Sequence, residues 1–278
     1  MTEVRILINT LKKLVENKSV LLLGFGREGK STYNALLKAG GYTKIAIADI
    51  NNVTAPNSDV QVFSGESYQD VMESFDVVFK SPGIVLNKPI DEYLCKVTSQ
   101  TNVFMEHFSN QIIGITGTKG KSTTTTLLYH ILSNSNVNSV MVGNIGIPCF
   151  DKADEITEDC KIVFEFSCHQ LEYAEISPHI SVLINLYEEH LDHYGTKEKY
   201  FYAKQNIYRY QTERDVLFCG VQCRDMVSDC KSKITTVSGN GEIADIMVFN
   251  QIVNYKENKL EIPTDEIKLI GEHNYFNI

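Results

Sequence analysis

The sequence lacks any long apolar run, any Cys-x-x-Cys pair and any excess of basic residues, and each absence excludes a class of protein. No apolar stretch approaches the roughly 20 residues that span a bilayer, and the amphipathic start is unlike a secretory signal. With 26 Lys and Arg against 35 Asp and Glu, a net charge of -9, no basic stripe is offered to nucleic acid. The seven cysteines are scattered and odd in number, which favours a reduced compartment. We therefore expect a cytoplasmic monomer without nucleic-acid or membrane partners.

The chain has 278 residues, enough for two domains that each bury a core. Short apolar runs alternate with helical patterns along most of it, which predicts an α/β protein with parallel sheets. The pattern restarts near residue 109 without a Gly/Ser-rich or Pro-rich linker. We therefore predict a Rossmann-like domain over 1–108, followed by a P-loop-type α/β domain over 109–278.

A glycine-rich loop stands at the start of the second predicted domain. The strand Ile112 to Ile115 leads into Gly117-Thr118-Lys119-Gly120-Lys121-Ser122-Thr123 and a helix rich in hydroxyl groups. Such a loop brings backbone N–H groups, a helix N-terminus and a lysine to phosphates, and a Ser can ligate Mg²⁺. The spacing departs from the strict P-loop, because Ile115 stands where that pattern has its first glycine. The segment still predicts a site for a nucleoside triphosphate.

A second glycine pattern stands near the N-terminus. The strand Val20 to Leu23 runs into Gly24, Gly26 and Gly29, and Asp49 follows about 20 residues later. This spacing matches the dinucleotide fingerprint, in which the acid holds a ribose hydroxyl. The same geometry serves any diphosphate, and it also occurs as tight packing without a ligand, so the redox cofactor remains one of three alternatives.

Several further strands and helices are predicted from a weaker hydrophobic pattern. We expect strands at 60–63, 77–79 and 102–104, and helices at 68–74, 90–97 and 196–211. A hairpin is expected across residues 255–258, and a helix is expected to begin near residue 271. The loop Ser81-Pro82-Gly83 follows a predicted strand, at the edge where open α/β sheets bind ligands.

Three features of the second predicted domain carry possible metal or amine chemistry. Glu165 ends an apolar strand, the position from which P-loop proteins offer a carboxylate to a metal, although an acid after a strand is more often a solvated strand end. His190 and His193 lie among three acids, a pattern typical of a metal site or of a polar turn. Lys204 lies on the apolar face of its helix, which favours either a snorkelling amine or a buried amine with a lowered pKa.

These motifs together resemble the Mur ligase family. The resemblance rests on six segments in order: Gly-Ile-Thr-Gly-Thr-Lys-Gly-Lys-Ser-Thr (114–123), Gly-Asn-Ile-Gly (143–146), Glu-Phe-Ser-Cys-His-Gln-Leu-Glu (165–172), Asn-Leu-Tyr-Glu-Glu-His-Leu-Asp-His-Tyr-Gly (185–195), Tyr-Ala-Lys (202–204) and Gly-Glu-His-Asn (271–274). Two details depart from the family pattern. Cys168-His169 stands where the family more often has Ser and an aromatic residue, and Lys119 stands where the family often has Asn.

The resemblance implies an ATP-dependent ligase that forms an amide bond through an acyl phosphate. The segments at 81–84 and 167–172 are most similar to members that add D-glutamate to UDP-N-acetylmuramoyl-L-alanine, so these substrates are expected, with ATP and Mg²⁺. The first domain would then hold the UDP-sugar and not a dinucleotide. The family's third domain, which holds D-glutamate, is absent from these residues, so we expect a truncated and inactive chain.

The resemblance also implies roles for individual residues. The expected catalytic residues are Lys121, His190 and Lys204. The expected ATP-binding residues are Gly117, Thr118, Lys119, Gly120, Lys121, Ser122, Thr123, Asn274 and Asn277. The expected substrate-binding residues are Gly24, Gly26, Gly29, Asp49, Ser81, Pro82, Gly83 and Asn144. The expected metal ligands are Ser122, Glu165, His190 and Lys204, the last as a carbamate.

Three alternative functions remain open from the sequence. An NAD-linked enzyme would explain the first glycine pattern but not the second, and a non-catalytic nucleotide-binding module would explain both without turnover. A Mur-type ligase that adds a different amino acid is the nearest alternative.

Overall fold

The computed structural model describes residues 3–239, 241–249 and 252–261, and these divide into two compact units. One unit comprises residues up to 107 together with 147–158, and the other comprises 108–146 and the residues from 159 onward. The single boundary at 108/109 expected from the sequence does not include the return of residues 147–158 to the first unit. None of the helices in the described ranges has the length and apolarity needed to cross a membrane.

The first unit is built on a five-stranded sheet of parallel strands in the order β3-β2-β1-β4-β5. Its strands are β1 (Ser19–Leu23), β2 (Lys44–Asp49), β3 (Gln61–Ser64), β4 (Val77–Lys80) and β5 (Lys96–Thr98). Its helices are α1 (Glu3–Val15), α2 (Arg27–Ala39) and α3 (Gln100–Phe108), with 3-10 helices at Met72–Ser74, Ile90–Glu92 and Cys149–Glu155. Strand β1 is buried along its whole length, as expected for a central strand of a parallel sheet.

The second unit has nine strands in the order β14-β13-β12-β11-β10-β9-β6-β8-β7. These are β6 (Ile112–Thr116), β7 (Ser139–Gly143), β8 (Lys161–Glu165), β9 (Ile180–Leu183), β10 (Val216–Gly220), β11 (Lys233–Ser238), β12 (Ile246–Phe249), β13 (Ile252–Tyr255) and β14 (Asn258–Glu261). Its helices are α4 (Lys121–Asn134), α5 (Cys168–Leu171), α6 (Leu191–Tyr194) and α7 (Lys197–Gln205), with a 3-10 helix at Val221–Val227. Pairing is parallel from β7 to β12, while β12, β13 and β14 pair antiparallel.

Most expected strands are confirmed, including the hairpin, whose strands β13 and β14 pair antiparallel across residues 255–258. The expected strand at 102–104 is wrong, because these residues lie within helix α3, where Val103 and Phe104 are buried. The expected helix at 90–97 is also wrong: it is a 3-10 helix followed by β5. The expected helix at 68–74 is reduced to turns and one 3-10 helix. The helix at 196–211 ends at Gln205.

Candidate active site

The loop of residues 117–120, here called the phosphate loop, joins the central strand β6 to helix α4. Gly120 is the N-cap of α4 and has a φ of 83°, a left-handed conformation that favours glycine. The helix therefore begins directly after a tight turn, and its first N–H groups lie at the carboxyl end of a buried parallel strand. That end of a strand, next to a helix N-terminus, is where an anion is best received.

Asn185 fixes the shape of the phosphate loop. Its Oδ1 accepts hydrogen bonds from the backbone N–H groups of Thr118, at 3.0 Å, and Lys119, at 2.8 Å, and its Nδ2 donates to the Lys119 carbonyl at 3.1 Å. Two of the loop N–H groups that the sequence assigned to phosphate thus bind a side chain from the loop after β9. The start of α4, from Gly120 to Ser122, is left as the part of the segment best suited to an anion.

The two lysines of the segment differ in their surroundings. Lys121 Nζ turns back over the phosphate loop and donates to the carbonyls of Gly117, at 3.0 Å, and Thr118, at 2.9 Å. Lys119 is exposed and pairs with Glu189 at 2.5 Å, and this hydrogen bond lowers the pKa of the Glu189 carboxyl. Lys121 is therefore the lysine placed over the loop, whereas Lys119 lies at the surface.

Glu165 supplies a buried carboxylate beside the phosphate loop. It is the last residue of β8, fully buried, and is in register with Ile115 of β6. Its Oε1 accepts from Asn144 Nδ2 at 2.7 Å, while its Oε2 has no hydrogen-bond partner among the described residues. A buried carboxylate oxygen without a partner is costly unless a cation or donor meets it. Together with the exposed hydroxyl of Ser122 in the first turn of α4, it fits the oxygen ligands that Mg²⁺ prefers.

Lys204 lies directly beneath the phosphate loop. Only 1% of it is exposed, which confirms its place on the apolar face of α7. Its Nζ donates to the Gly117 carbonyl at 2.8 Å and lies 5.1 Å from the centre of the Tyr200 ring. Burial lowers the pKa of Lys204 to about 8. Roughly a tenth of this amine is then neutral at pH 7, far more than for an ordinary lysine, and the neutral form is nucleophilic.

His190 lies at the start of α6 with a left-handed φ of 57°. Its ring centre is 5.8 Å from that of Tyr200, whose hydroxyl is 3.1 Å from Thr118 Oγ1. His190, Lys121, Glu165, Lys204 and the phosphate loop therefore lie in one region of the second unit. Of the other predicted residues, Asn144 joins them through Glu165, while Asn274 and Asn277 lie outside the described residues.

In the first unit, the sequence-predicted residues also come together. Asp49 Oδ2 accepts from the Phe25 N–H at 2.8 Å, within the loop of residues 24–29, here called the first glycine loop. Ser81 Oγ donates to the Gly24 carbonyl at 3.1 Å, and Pro82 and Gly83 follow it. Asp49 thus binds the loop itself, and its Oδ1 also accepts from the Asn51 N–H.

Asn185 contacts the phosphate loop but was not predicted as a site residue. It stands two residues after β9, and only the parallel pairing of β9 with β6 places it against the phosphate loop. The available signal was its position after a buried apolar strand, at the same sheet edge as the glycine-rich loop.

Comparison with known proteins agrees with this geometry. Residues 115–278 match the model of the Mur ligase middle domain. A curated UDP-N-acetylmuramoylalanine--D-glutamate ligase from Clostridium kluyveri is 31% identical over 280 residues, covering 96% of this chain and 61% of the relative. The enzyme of the same name from Staphylococcus saprophyticus is 32% identical over 276 residues, covering 95% and 61%. The chain therefore spans about 61% of the length of these curated relatives.

A solved structure shares the fold. The UDP-N-acetylmuramate:L-alanyl-gamma-D-glutamyl-meso-diaminopimelate ligase from Neisseria meningitides superposes with a TM-score of 0.58 at 15% identity, covering 94% of this chain and 90% of that one. At this level of identity the likeness concerns the fold alone.

Proposed function

The chain belongs to the Mur ligase family, and from this premise we propose that it is part of an ATP-dependent ligase that adds D-glutamate to UDP-N-acetylmuramoyl-L-alanine. The amide bond formed would serve peptidoglycan precursor synthesis, and hence cell shape and division. One observation carries the proposal: Lys121 and Lys204 both donate to the Gly117 carbonyl, next to the buried Glu165. The names of the two curated relatives support the choice of substrates.

The proposed reaction has two steps. An oxygen of the alanyl carboxylate attacks the γ-phosphorus of ATP, the bond from that phosphorus to the bridging oxygen of ADP breaks, and an acyl phosphate forms. The amine of D-glutamate then attacks the acyl carbon, a tetrahedral intermediate collapses with loss of phosphate, and the nitrogen releases a proton. Phosphorylation is needed because a free carboxylate is a poor electrophile.

The residues of the phosphate loop would position ATP and neutralise its charge. Lys121 would leave the loop carbonyls for the outer phosphates, and the N–H groups at the start of α4 would meet their oxygens. Phosphoryl transfer depends mainly on such positioning and charge stabilisation. Asn185 would hold the loop in its receiving shape.

Four side chains would hold two Mg²⁺ ions. Ser122 and Glu165 would bind one Mg²⁺, and His190 and the carbamate of Lys204 a second. Bound Mg²⁺ supplies charge neutralisation at the transferring phosphoryl group. The unmatched Glu165 Oε2 supports the first of these sites.

The buried amine of Lys204 supports its conversion to a carbamate. The neutral nitrogen would form a bond with the carbon of CO2 and lose a proton, giving an anionic carbamate. The lowered pKa of about 8 supplies the neutral amine that this step needs. The carbamate's negative charge would suit a divalent cation.

The remaining substrate contacts are assigned by motif. Gly24, Gly26 and Gly29 would lie near the diphosphate of the UDP-sugar, Asp49 near the uracil, and residues 81–83 nearby. Asn144 would orient the muramoyl group, and Asn274 and Asn277 would approach the adenine. We place the reaction in the cytoplasm, where ATP is available and the thiols of this chain stay reduced.

The function is tested by ATP binding, followed by turnover. In calorimetry with Mg²⁺, Lys121→Ala should weaken ATP binding by more than about 10-fold, since it removes a charge from the phosphate contacts. Lys161→Ala, which removes an exposed lysine at the start of β8, is the matched control. Equal affinities for the two variants, or no ATP binding, would refute the nucleotide site. In a longer form of the protein that carries the family's third domain, phosphate release that requires another amino acid in place of D-glutamate would reassign the substrate.

A further inference from the structure

We propose that His169, Glu172 and His193 of the second unit bind a transition-metal ion, for which Zn²⁺ is the best match. Each residue offers one ligand atom, and the three atoms lie within 4.8 Å of one another. The site goes beyond the proposed ligase chemistry, in which none of these three side chains takes part. Of the polar run 188–193, only His193 belongs to this cluster.

Two short helices bring the three side chains together. Helix α5 begins at a capping box formed by Ser167 and Gln170, and Glu172 continues the helical conformation beyond Leu171. His169 and Glu172 are three residues apart, so they lie on the same face of this helical segment. His193 comes from α6 and supplies the third ligand.

The separations within the cluster are close to those between the ligand atoms of a zinc site. His193 Nε2 lies 3.2 Å from Glu172 Oε2, and the ring centres of His169 and His193 are 4.3 Å apart. Bonds of about 2.1 Å in tetrahedral zinc sites place ligand atoms about 3.4 Å apart. The His193 and Glu172 ligand atoms therefore already have the separation found in a zinc site, and a ligand atom of His169 lies within 4.8 Å of both.

The surroundings favour coordination. The side chains of His193 and Glu172 are 9% and 19% exposed, so a bound ion would be largely shielded from water. The Tyr194 hydroxyl lies 3.4 Å from His169 Nδ1, with the two rings stacked. In the tautomer in which Nδ1 donates to that oxygen, the lone pair of the ring lies on Nε2. Such an outer contact is typical of metal-binding histidines, whose ring it orients.

The donor set selects the metal. Two imidazoles and one carboxylate suit Zn²⁺ and its neighbours Co²⁺ and Ni²⁺, whereas Mg²⁺ sites are built mainly from oxygen ligands. Three protein ligands leave a fourth position for water or another ligand. The competing interpretation is an ion pair between Glu172 and a protonated His193, with no metal.

The test is a Co²⁺ titration of the metal-free 278-residue chain, followed by visible absorption. We expect one equivalent to bind, to be displaced by Zn²⁺ and to resist an excess of Mg²⁺. His169→Phe keeps a ring against Tyr194, and His193→Arg keeps a cation for Glu172, yet each removes a ligand. Each should weaken binding by more than about 100-fold, since loss of an outer partner alone costs roughly 10–100-fold.

His130→Gln is the matched control, because it removes an exposed imidazole from α4 and should leave binding unchanged. Circular dichroism checks that the variants fold, and Glu172→Gln replaces either variant that does not. The proposal is overturned if the unaltered chain binds no Co²⁺, or if the ligand variants bind it as tightly as the unaltered chain. Unchanged binding in those variants would leave the ion pair as the role of His193.

Discussion

At the scale of single residues, the second unit buries two groups that ordinarily carry charge. Lys204 and Glu165 are 1% and 0% exposed, and both lie against the carboxyl end of β6. Burial of a charged group is costly unless it is neutralised or paired. Lys204 meets this cost through its lowered pKa and the Gly117 carbonyl, whereas Glu165 retains an oxygen without a partner in the described residues.

The buried amine makes stability depend on pH. Between pH 8 and about 10 the unfolded chain binds a proton on Lys204 that the folded chain does not, so the residue's contribution to stability rises with pH. Lys204→Met lacks this dependence. The unfolding free energy of Lys204→Met minus that of the unaltered chain should therefore decrease by about 2–3 kcal/mol from pH 7 to pH 10, because only the unaltered chain gains this stability.

Urea unfolding at the two pH values measures this difference. Lys161→Met serves as the control for removal of an exposed lysine. If the difference in unfolding free energy between Lys204→Met and the unaltered chain is the same at pH 7 and pH 10, the pKa of Lys204 is not lowered in the folded chain.

At the scale of elements, the first glycine loop shows how closely a strand and a helix meet. A Cβ added to Gly29 would lie 2.2 Å from the Gly24 carbonyl oxygen, so helix α2 packs directly on the loop backbone. A Cβ added to Gly26 would have no atom within 4 Å, and its φ is -73°. The third glycine is therefore required for packing, and the second leaves space for a ligand.

This contrast predicts different outcomes for two alanine substitutions in one loop. Gly29→Ala should lower the unfolding free energy by about 2–4 kcal/mol, because backbone must move to relieve the overlap. Gly26→Ala should change it by less than about 1 kcal/mol and, if the loop binds a diphosphate, should weaken ligand binding. Thermal unfolding measures the first effect. Equal losses in both variants would contradict close packing at Gly29.

The sequence predicted those strands whose apolar pattern is continuous and is followed by a loop that contains glycine. The buried strands β1, β4 and β6 were located to within about one residue of their bounds. Residues 102–104 were mistaken for a strand because a short apolar run has no period, and its burial depends on tertiary packing. Strand β5 was missed because an edge strand of three residues, Lys96–Thr98, carries too little pattern.

The parts of the candidate site that consist of residues adjacent in the sequence could be predicted. The phosphate loop and the strand-ending Glu165 are local patterns, and the apolar surroundings of Lys204 follow from helical spacing. Asn185 was missed because it lies 67 residues from Thr118 in the sequence. The contact between them depends on the parallel pairing of β6 with β9. The cluster of His169, Glu172 and His193 joins two helices in the same way.

At the scale of the whole molecule, the same arrangement occurs once in each unit. Strand order reverses between β1 and β4 in the first sheet and between β6 and β9 in the second. In each case a glycine-rich loop follows the first strand of the pair, and a residue that contacts this loop, Ser81 or Asn185, follows the other strand. Open parallel sheets bind ligands at such reversals. Each unit should therefore bind its own ligand.

Hydrogen exchange read by mass spectrometry tests this assignment. ATP with Mg²⁺ should slow exchange in residues 114–126 and 185–190, because bound phosphate protects the N–H groups it contacts. UDP-N-acetylmuramoyl-L-alanine should slow exchange in residues 23–29 and 80–84. Lys121→Ala should abolish the first protection and leave the second. Protection of residues 23–29 by NAD and not by the UDP-sugar would contradict the proposed substrate, because it would place a redox cofactor in the first glycine loop.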